Sequence, residues 1–133
     1  MLTGGCHCGA IRYEVQGEPA HAALCHCTDC RLSTGAPVVA WTLFGNDGFR
    51  VTRGAASSYA SSEHARRHFC GACGTSLVYT NEAMFPDMTD VCAATLDTPD
   101  AMPVQIQIQT ADRIGWMETA HELPQFERYP SGE

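Results

Sequence analysis

Seven of the eight cysteines lie in three short segments, and this clustering is the strongest chemical signal in the sequence. They form two pairs and a triplet: Cys6 and Cys8, Cys70 and Cys73, and Cys25, Cys27 and Cys30. Zinc binds soft thiolate ligands in a tetrahedral shell, at about 2.3 Å. A closed all-cysteine site uses four thiolates and leaves three, and three protein ligands with one open position are typical of a catalytic zinc. The sequence therefore predicts two zinc ions per chain, one structural and one catalytic.

Disulfide bonds are the alternative role for these cysteines. A bond within a Cys-x-Cys segment closes a strained ring. The N-terminus also lacks the basic and apolar regions of a secretory signal, so we expect a cytoplasmic protein with reduced thiols. Clustered cysteines then favour metal binding. Iron–sulfur clusters compete for the same ligands but also take four cysteines each, and mixed Cys-x-Cys and Cys-x-x-Cys spacing suits tetrahedral zinc.

The seven cysteines can be divided between the two sites in two ways. In the first, the pairs share the structural zinc, which then connects distant parts of a small domain. The triplet Cys25, Cys27 and Cys30 is left as the open, catalytic centre. In the second, the triplet takes one cysteine from a pair and leaves an odd thiol exposed. The first arrangement is simpler. Cys92 stands alone in a strand-like segment and is predicted to be a buried core thiol.

Polar residues beside the cysteines indicate a function less clearly than the cysteines do. His7 and His26 each lie between two cysteines, and we expect their side chains in solvent or next to the ligands. Asp29 is a candidate acid–base group. Three thiolates donate much charge, so their zinc is a weak Lewis acid that suits a thiol or a carbonyl better than water. The chemistry that follows is addition of a thiol to an aldehyde, or its reversal.

The composition excludes several classes of partner. The formal net charge is −7, and thiolates bound to zinc make it more negative. Nucleic acid is therefore repelled, and the pair Arg66 and Arg67 is too small a basic cluster to track phosphates. No apolar run approaches the ~18 residues of a membrane span. We expect small-molecule partners, with the oligomeric state left open.

The elements that position the cysteines are predicted mainly as strands. Apolar alternation and glycine-rich turns place strands at 11–15, 20–24, 37–44, 49–52, 57–61, 76–80, 90–96 and 104–109. The strict alternation of 104–109 makes it the clearest strand, and 31–35 is predicted as one helical turn. Trp41, Phe44, Trp116 and Phe126 are predicted core residues. Residues 1–133 are interpreted as one mainly β domain.

Three motifs in a fixed order resemble a known family. They are GCHCGAIRY at 5–13, CHCTDCR at 25–31 and FCGACGT at 69–75. Together with 33–37, Asp90 and Val91, and 123–124, they cover nearly the whole chain. The set resembles the glutathione-dependent formaldehyde-activating enzyme family, of which one branch resembles centromere protein V, a chromatin protein.

This resemblance implies a fold, two metal sites and an activity. The implied fold has twisted antiparallel sheets and is similar to methionine sulfoxide reductase B. The implied structural zinc ligands are Cys6, Cys8, Cys70 and Cys73, and the implied catalytic ligands are Cys25, Cys27 and Cys30. The family's founding activity, a carbon–sulfur lyase reaction, joins glutathione and formaldehyde into S-hydroxymethylglutathione. The catalytic zinc then binds the thiolate or the aldehyde oxygen. The chain is shorter than expected of glutathione-specific members and has no recognisable glutathione site.

Three functions are compatible with these residues. The leading hypothesis is a zinc-dependent carbon–sulfur lyase acting on a thiol and a small aldehyde, with a labile second zinc. The second is a non-catalytic binding module in which Cys92 or a histidine completes the second site. The third, methionine sulfoxide reduction, needs a free nucleophilic cysteine but not the triplet. Three cysteine ligands plus an open position favour the enzyme, and four protein ligands favour the module.

Overall fold

The computed structural model describes residues 1–130, which contain ten β-strands, one α-helix and several 3-10 turns. The strands are β1 (Leu2–Gly5), β2 (Arg12–Val15), β3 (His21–Cys25), β4 (Val39–Gly45), β5 (Phe49–Arg53), β6 (Ser57–Ala60), β7 (Ala65–Phe69), β8 (Ser76–Asn81), β9 (Met88–Cys92) and β10 (Ile106–Ile108). The helix α1 (Thr28–Thr34) lies between β3 and β4. The mainly β prediction is confirmed. The predicted single domain extends to residue 133, and its last three residues lie outside the described part.

The strands form two sheets. The small sheet has the order β1-β2-β5, and the large sheet has the order β10-β3-β4-β9-β8-β7-β6. Neighbouring strands are antiparallel except β10, which lies parallel to β3 at the edge of the large sheet. The large sheet is therefore antiparallel, as the family resemblance implied, except at this one edge pair. The likeness to methionine sulfoxide reductase B stays a prediction.

Side-chain alternation gives the large sheet two different faces, because residues opposite each other in register point to the same side. The register pairs Trp41 with Cys92, Tyr79 with Asp90, and Arg67 with Tyr79. Cys25 lies on the same side, opposite Val39. We call this side the cysteine face: Cys25, Trp41, Arg67, Tyr79, Asp90 and Cys92.

The opposite face of the large sheet holds the main hydrophobic core. Phe44, Val78 and Val91 pack there with Tyr13 and Val15 of the small sheet, and all five are buried. This core joins the two sheets without using the cysteine face. Cys25 and Cys30 belong to a separate buried cluster with Trp41, whereas Cys6 and Cys70 are part of the main core.

Two strand predictions needed correction at their ends. The segment 90–96 is a strand only as far as Cys92, after which Ala93–Thr95 forms a 3-10 turn. The segment 104–109 is a strand only at Ile106–Ile108, and Ile106 is exposed at the sheet edge. Alternating polarity there reflects an edge position rather than a half-buried central strand.

Two of the four aromatic residues predicted for the core are buried. Trp41 and Phe44 are buried, whereas Trp116 and Phe126 are 59% and 56% exposed, so their assignment to the core was wrong. Both exposed aromatics lie in the tail, where the chain forms 3-10 turns rather than strands. No helix within residues 1–130 has the length and apolar character needed to cross a membrane.

Candidate metal centres

The two cysteine pairs meet in one group. The Sγ atoms of Cys6, Cys8, Cys70 and Cys73 all lie within 4.8 Å of one another. Each pair sits on a turn between two strands, β1 to β2 and β7 to β8. The glycine after each second cysteine, Gly9 or Gly74, has a φ of +81° or +82°, which a glycine adopts without strain. Two similar turns therefore bring four thiols together from opposite sheets.

The sulfur spacing in this four-cysteine group fits a tetrahedral ion. Sγ atoms are 3.7 Å apart for Cys6 and Cys8, and 3.8 Å apart for Cys8 and Cys70. A tetrahedron with zinc–sulfur bonds of about 2.3 Å has edges of about 3.8 Å. All eight cysteines are free thiols, so disulfides do not account for the grouping. Backbone N–H groups of Ile11 and Cys73 also donate to the Cys6 and Cys70 sulfurs, at 3.3 and 3.4 Å.

The triplet forms a second group, again with all Sγ atoms within 4.8 Å. Cys25 ends β3, Cys27 is the N-cap of α1, and Cys30 lies in the first turn of that helix. The Cys27 sulfur accepts a hydrogen bond from the Cys30 backbone N–H at 3.2 Å, so it caps the helix as a serine oxygen commonly does. One strand end and one helical turn thus position three thiols.

A cavity of about 310 Å³ opens above the triplet. Cys25, Cys27 and Cys30 line it, together with Trp41, Arg67, Tyr79, Asn81 and Asp90. Asp29 and Asp112 also border it, so the predicted acid–base candidate Asp29 lies near the triplet, on an exposed position. Within residues 1–130 the metal-ligating atoms grouped around the triplet are its three sulfurs alone. The arrangement fits three protein ligands beside a space for small molecules.

Two buried charged residues of the cavity escaped sequence reasoning. Arg67 was noted only as part of a small basic cluster, and Asp90 only as part of a strand and a motif. Arg67 is 6% exposed and Asp90 is 7% exposed. The Asp90 Oδ1 atom has no hydrogen-bond partner among residues 1–130. Burial, with a smaller contribution from the Cys30 thiolate, raises the pKa of Asp90 to about 7. Only the strand register, which brings both residues to the cysteine face, connects them with the triplet.

The three thiols of the triplet are not equivalent. The thiol hydrogen bond from Cys25 holds the pKa of Cys30 well below its ordinary value, and Cys27 and the charge of Arg67 lower it further. The same hydrogen bond, together with burial, raises the pKa of Cys25. Cys30 is therefore the sulfur that carries negative charge most readily.

The other residues singled out from the sequence, His7, His26 and Cys92, lie outside the two sulfur groups. His26 is 2% exposed rather than solvated, and its Nε2 lies 2.8 Å from Gln107 Oε1, which links the triplet loop to β10. His7 is exposed, and its backbone N–H donates to Thr75 Oγ1 at 3.0 Å. Cys92 is buried, as predicted for a core thiol, and its Sγ lies 3.6 Å from Ser76 Oγ, outside both groups.

Comparison with known proteins agrees with this geometry. The sequence model of the glutathione-dependent formaldehyde-activating enzyme family matches residues 1–112, a range that includes every cysteine of both groups. The chain belongs to this family. The family resemblance seen in the three cysteine motifs is thereby confirmed.

Three similar proteins extend the comparison. A putative glutathione-dependent formaldehyde-activating enzyme of Halomonas elongata is 28% identical over 127 residues, covering 89% of this chain and 80% of the relative. An uncharacterised lyase of Schizosaccharomyces pombe is 35% identical over 80 residues, covering 59% of this chain and 58% of the relative. A Rhodobacter sphaeroides protein of known crystal structure superposes with a TM-score of 0.60 at 30% identity. That match covers 80% of this chain and 99% of the crystallised one.

Proposed function

We propose that the protein is a zinc-dependent carbon–sulfur lyase that adds a thiol to a small aldehyde and reverses that addition. The proposed catalytic centre is Cys25, Cys27 and Cys30, and the proposed structural centre is Cys6, Cys8, Cys70 and Cys73. The observation that carries the proposal is the contrast between the two groups. Four thiols form a complete tetrahedral set, whereas three thiols border a cavity of about 310 Å³. The names of the family and of its lyase relative support the same reaction class.

The chain's own residues shape the space in which the two substrates meet. When bound by three thiolates, zinc supplies a soft Lewis acid suited to sulfur and carbonyl ligands. Trp41 and Tyr79 form an aromatic wall of the cavity, with ring centroids 6.1 Å apart. Asn81 donates to the Tyr79 hydroxyl at 3.1 Å, which fixes that part of the wall. Binding in this cavity would hold thiol and aldehyde close together, so the entropy cost of their encounter falls.

Asp90 is the proposed proton donor of the addition. A carbon–sulfur bond forms, the carbonyl π-bond breaks, and the former carbonyl oxygen takes a proton. The proton that the thiol loses balances the reaction. Asp90 lines the cavity, and its Oδ1 atom has no hydrogen-bond partner among residues 1–130, which leaves the carboxyl free to donate to that oxygen. Its raised pKa keeps a protonated fraction near neutral pH.

Exchange spectroscopy tests the proposed activity directly. Thiols and formaldehyde combine without a catalyst, so the informative quantity is the rate of interconversion at equilibrium, measured by two-dimensional exchange NMR with ¹³C-formaldehyde. Zinc-loaded wild type is expected to accelerate exchange with glutathione or 2-mercaptoethanol. Cys27→Ser should lose the acceleration, and Cys92→Ala, which removes a cysteine outside both groups, should keep it. Wild type carrying two zinc ions without acceleration for either thiol would refute the activity.

The non-catalytic module makes a different prediction in the same protein. It requires a fourth protein ligand at the second site, for which the sequence offered Cys92 or a histidine. Cys92 instead approaches Ser76. If Cys92 were that ligand, Cys92→Ala would remove one of two bound metal ions. On the enzyme hypothesis the Cys92→Ala variant retains both metal ions. Metal analysis of the purified variant distinguishes the two hypotheses.

A further inference from the structure

Arg67 is a buried cation without a carboxylate partner in the described part of the chain. Its Nη1 and Nη2 atoms both lie 3.8 Å from the Cys30 Sγ, and its Cζ lies 4.6 Å from the centroid of the Tyr79 ring. Burying a charge costs free energy unless something compensates it. The two compensating groups in this structure are a thiol and an aromatic face. One of them belongs to the triplet.

The charge of the triplet explains why a cation lies there. Three thiolates carry −3 and a divalent ion carries +2, so a loaded centre has a net charge of −1. Cys25 and Cys30 are buried, so little solvent is available to stabilise that charge. The guanidinium of Arg67 contributes +1 at hydrogen-bonding distance from one of the sulfurs and brings the local sum to zero.

We propose that Arg67 is a positioning residue of the three-cysteine centre, which donates to the Cys30 sulfur and offsets the negative charge of the loaded site. This inference rests on the proposed function only in taking the triplet as a metal site. Two consequences follow. Charge compensation tightens metal binding, and hydrogen bonding to a sulfur lowers the charge that the sulfur donates. Arg67 therefore makes a three-thiolate centre more electrophilic than its ligands alone allow.

Arg66 provides a matched control on the same strand. It follows the alternation of β7 to the opposite face, where it is exposed and its Nη1 lies 3.2 Å from Ser58 Oγ. Loss of Arg66 removes one positive charge from the same strand without touching Cys30. A general effect of net charge would appear in both arginine variants, whereas the proposed effect appears only in Arg67 variants.

The test is a cobalt(II) titration of metal-free, reduced full-length protein, followed by the thiolate-to-cobalt charge-transfer absorption. The first equivalent reports the four-cysteine group and serves as the internal measure of folding. Arg67→Gln should bind the second equivalent 10- to 100-fold more weakly than wild type, a range typical of groups that support metal ligands. Its charge-transfer band should move to longer wavelength, because the Cys30 sulfur loses a donor. Arg66→Gln should match wild type in both respects.

Lysine substitution keeps the inference testable if the glutamine variant fails to fold. Arg67→Lys retains the charge but not the paired donors, so its second-site affinity should stay closer to wild type while its band still shifts. A folded Arg67→Gln with wild-type affinity and an unshifted band overturns the inference, and so does an unshifted band in Arg67→Lys if only that variant folds. None of these readouts depends on catalysis. Failure of the lyase assay can therefore be distinguished from failure of this inference.

Discussion

Asp90 illustrates a conflict between stability and proposed function at the level of one residue. The pKa of an aspartate in the unfolded chain is about 3.9. Burial raises the pKa of Asp90 to about 7 in the folded chain. The carboxyl's contribution to stability is therefore fully present below the unfolded pKa and is lost as the pH rises through the folded pKa. At alkaline pH the fold holds a buried carboxylate without a partner for Oδ1.

Replacing Asp90 with asparagine should stabilise the fold and impair the reaction. Asparagine does not ionise, so the gain in melting temperature for Asp90→Asn should be larger at pH 8.5 than at pH 6. The rate of thiol addition should fall about 100-fold, as expected for loss of a general acid. Thermal melts at both pH values and exchange NMR measure the two effects.

Thr89→Val is the matched control for this variant. Thr89 is buried on the same strand but faces the other way, and its hydroxyl donates to Asn46 Oδ1 at 2.7 Å. Its removal should cost about 1 kcal/mol at either pH and leave the reaction rate unchanged. An Asp90→Asn variant whose stability gain is the same at pH 6 and pH 8.5 would contradict the assigned burial effect.

The residues differ in how far the sequence alone reveals them. Cysteine spacing is local, so each pair and the triplet could be recognised before any strand was paired. Their division into four and three was chosen as the simpler of two arrangements, and the structure groups the sulfurs in that way. Arg67 and Asp90 are 23 positions apart and reach the same cavity only through β8, which pairs with both of their strands. Such a relation depends on register, which no short motif contains. The buried charge is the part of the site that the sequence could not supply.

Helix α1 is the element that completes the triplet, and its ends are defined by local chemistry. Cys27 caps its start, and Gly35 ends it with a φ of 72°. The helix was predicted as one turn at 31–35, ended by Gly35 and Pro37. Its first residues contain cysteines and an aspartate rather than strong helix formers, so its start has a weak signal in the sequence. Sequence reasoning thus located the end of the helix better than its beginning, where Cys27 replaces the usual capping residue.

Gly35→Ala should destabilise the protein through the backbone alone. A Cβ at Gly35 meets nothing within 4 Å, so no steric clash contributes, but the positive φ disfavours any side chain. We expect a loss of about 1 kcal/mol in the free energy of unfolding, measured by urea denaturation. Gly115→Ala is the control, because its Cβ also meets nothing within 4 Å and its φ is not positive. Equal effects of the two substitutions would show that the helix end is unstrained.

Strand β10 shows where periodicity fails as a guide to elements. Alternation made 104–109 the clearest predicted strand, yet only three residues pair, in parallel with β3 at the sheet edge. Its contribution is a side-chain contact, in which the Gln107 Oε1 atom accepts a hydrogen bond from Nε2 of buried His26. Gln107→Ala should therefore cost about 1–3 kcal/mol, since a buried ring nitrogen is left unpaired. Gln105→Ala, an exposed neighbour, should cost little in the same denaturation experiment.

At the scale of the whole molecule, the two cysteine groups divide stability from proposed activity. The four-cysteine group joins a turn of the small sheet to a turn of the large sheet, so a metal ion bound there would crosslink the two sheets. The triplet involves β3 and α1 alone and borders a cavity. The mainly β class was predictable because each strand carries its own pattern. The assembly of two sheets was not, because it depends on which distant strands meet.

This division predicts two separate steps when metal is removed. A three-ligand site binds metal less tightly than a closed one, so a chelator should remove one zinc ion first and abolish thiol–aldehyde exchange with little change in melting temperature. Removal of the second ion should lower the melting temperature by about 10 °C or more, because binding free energy at a crosslinking site is folding free energy. Cys27→Ser should reproduce the first step and Cys73→Ser the second. Zinc analysis and thermal melts at stepwise chelator concentrations make the comparison. Simultaneous loss of exchange and of folding in wild type, with both serine variants equally unstable, would mean that the two sites act as one structural unit.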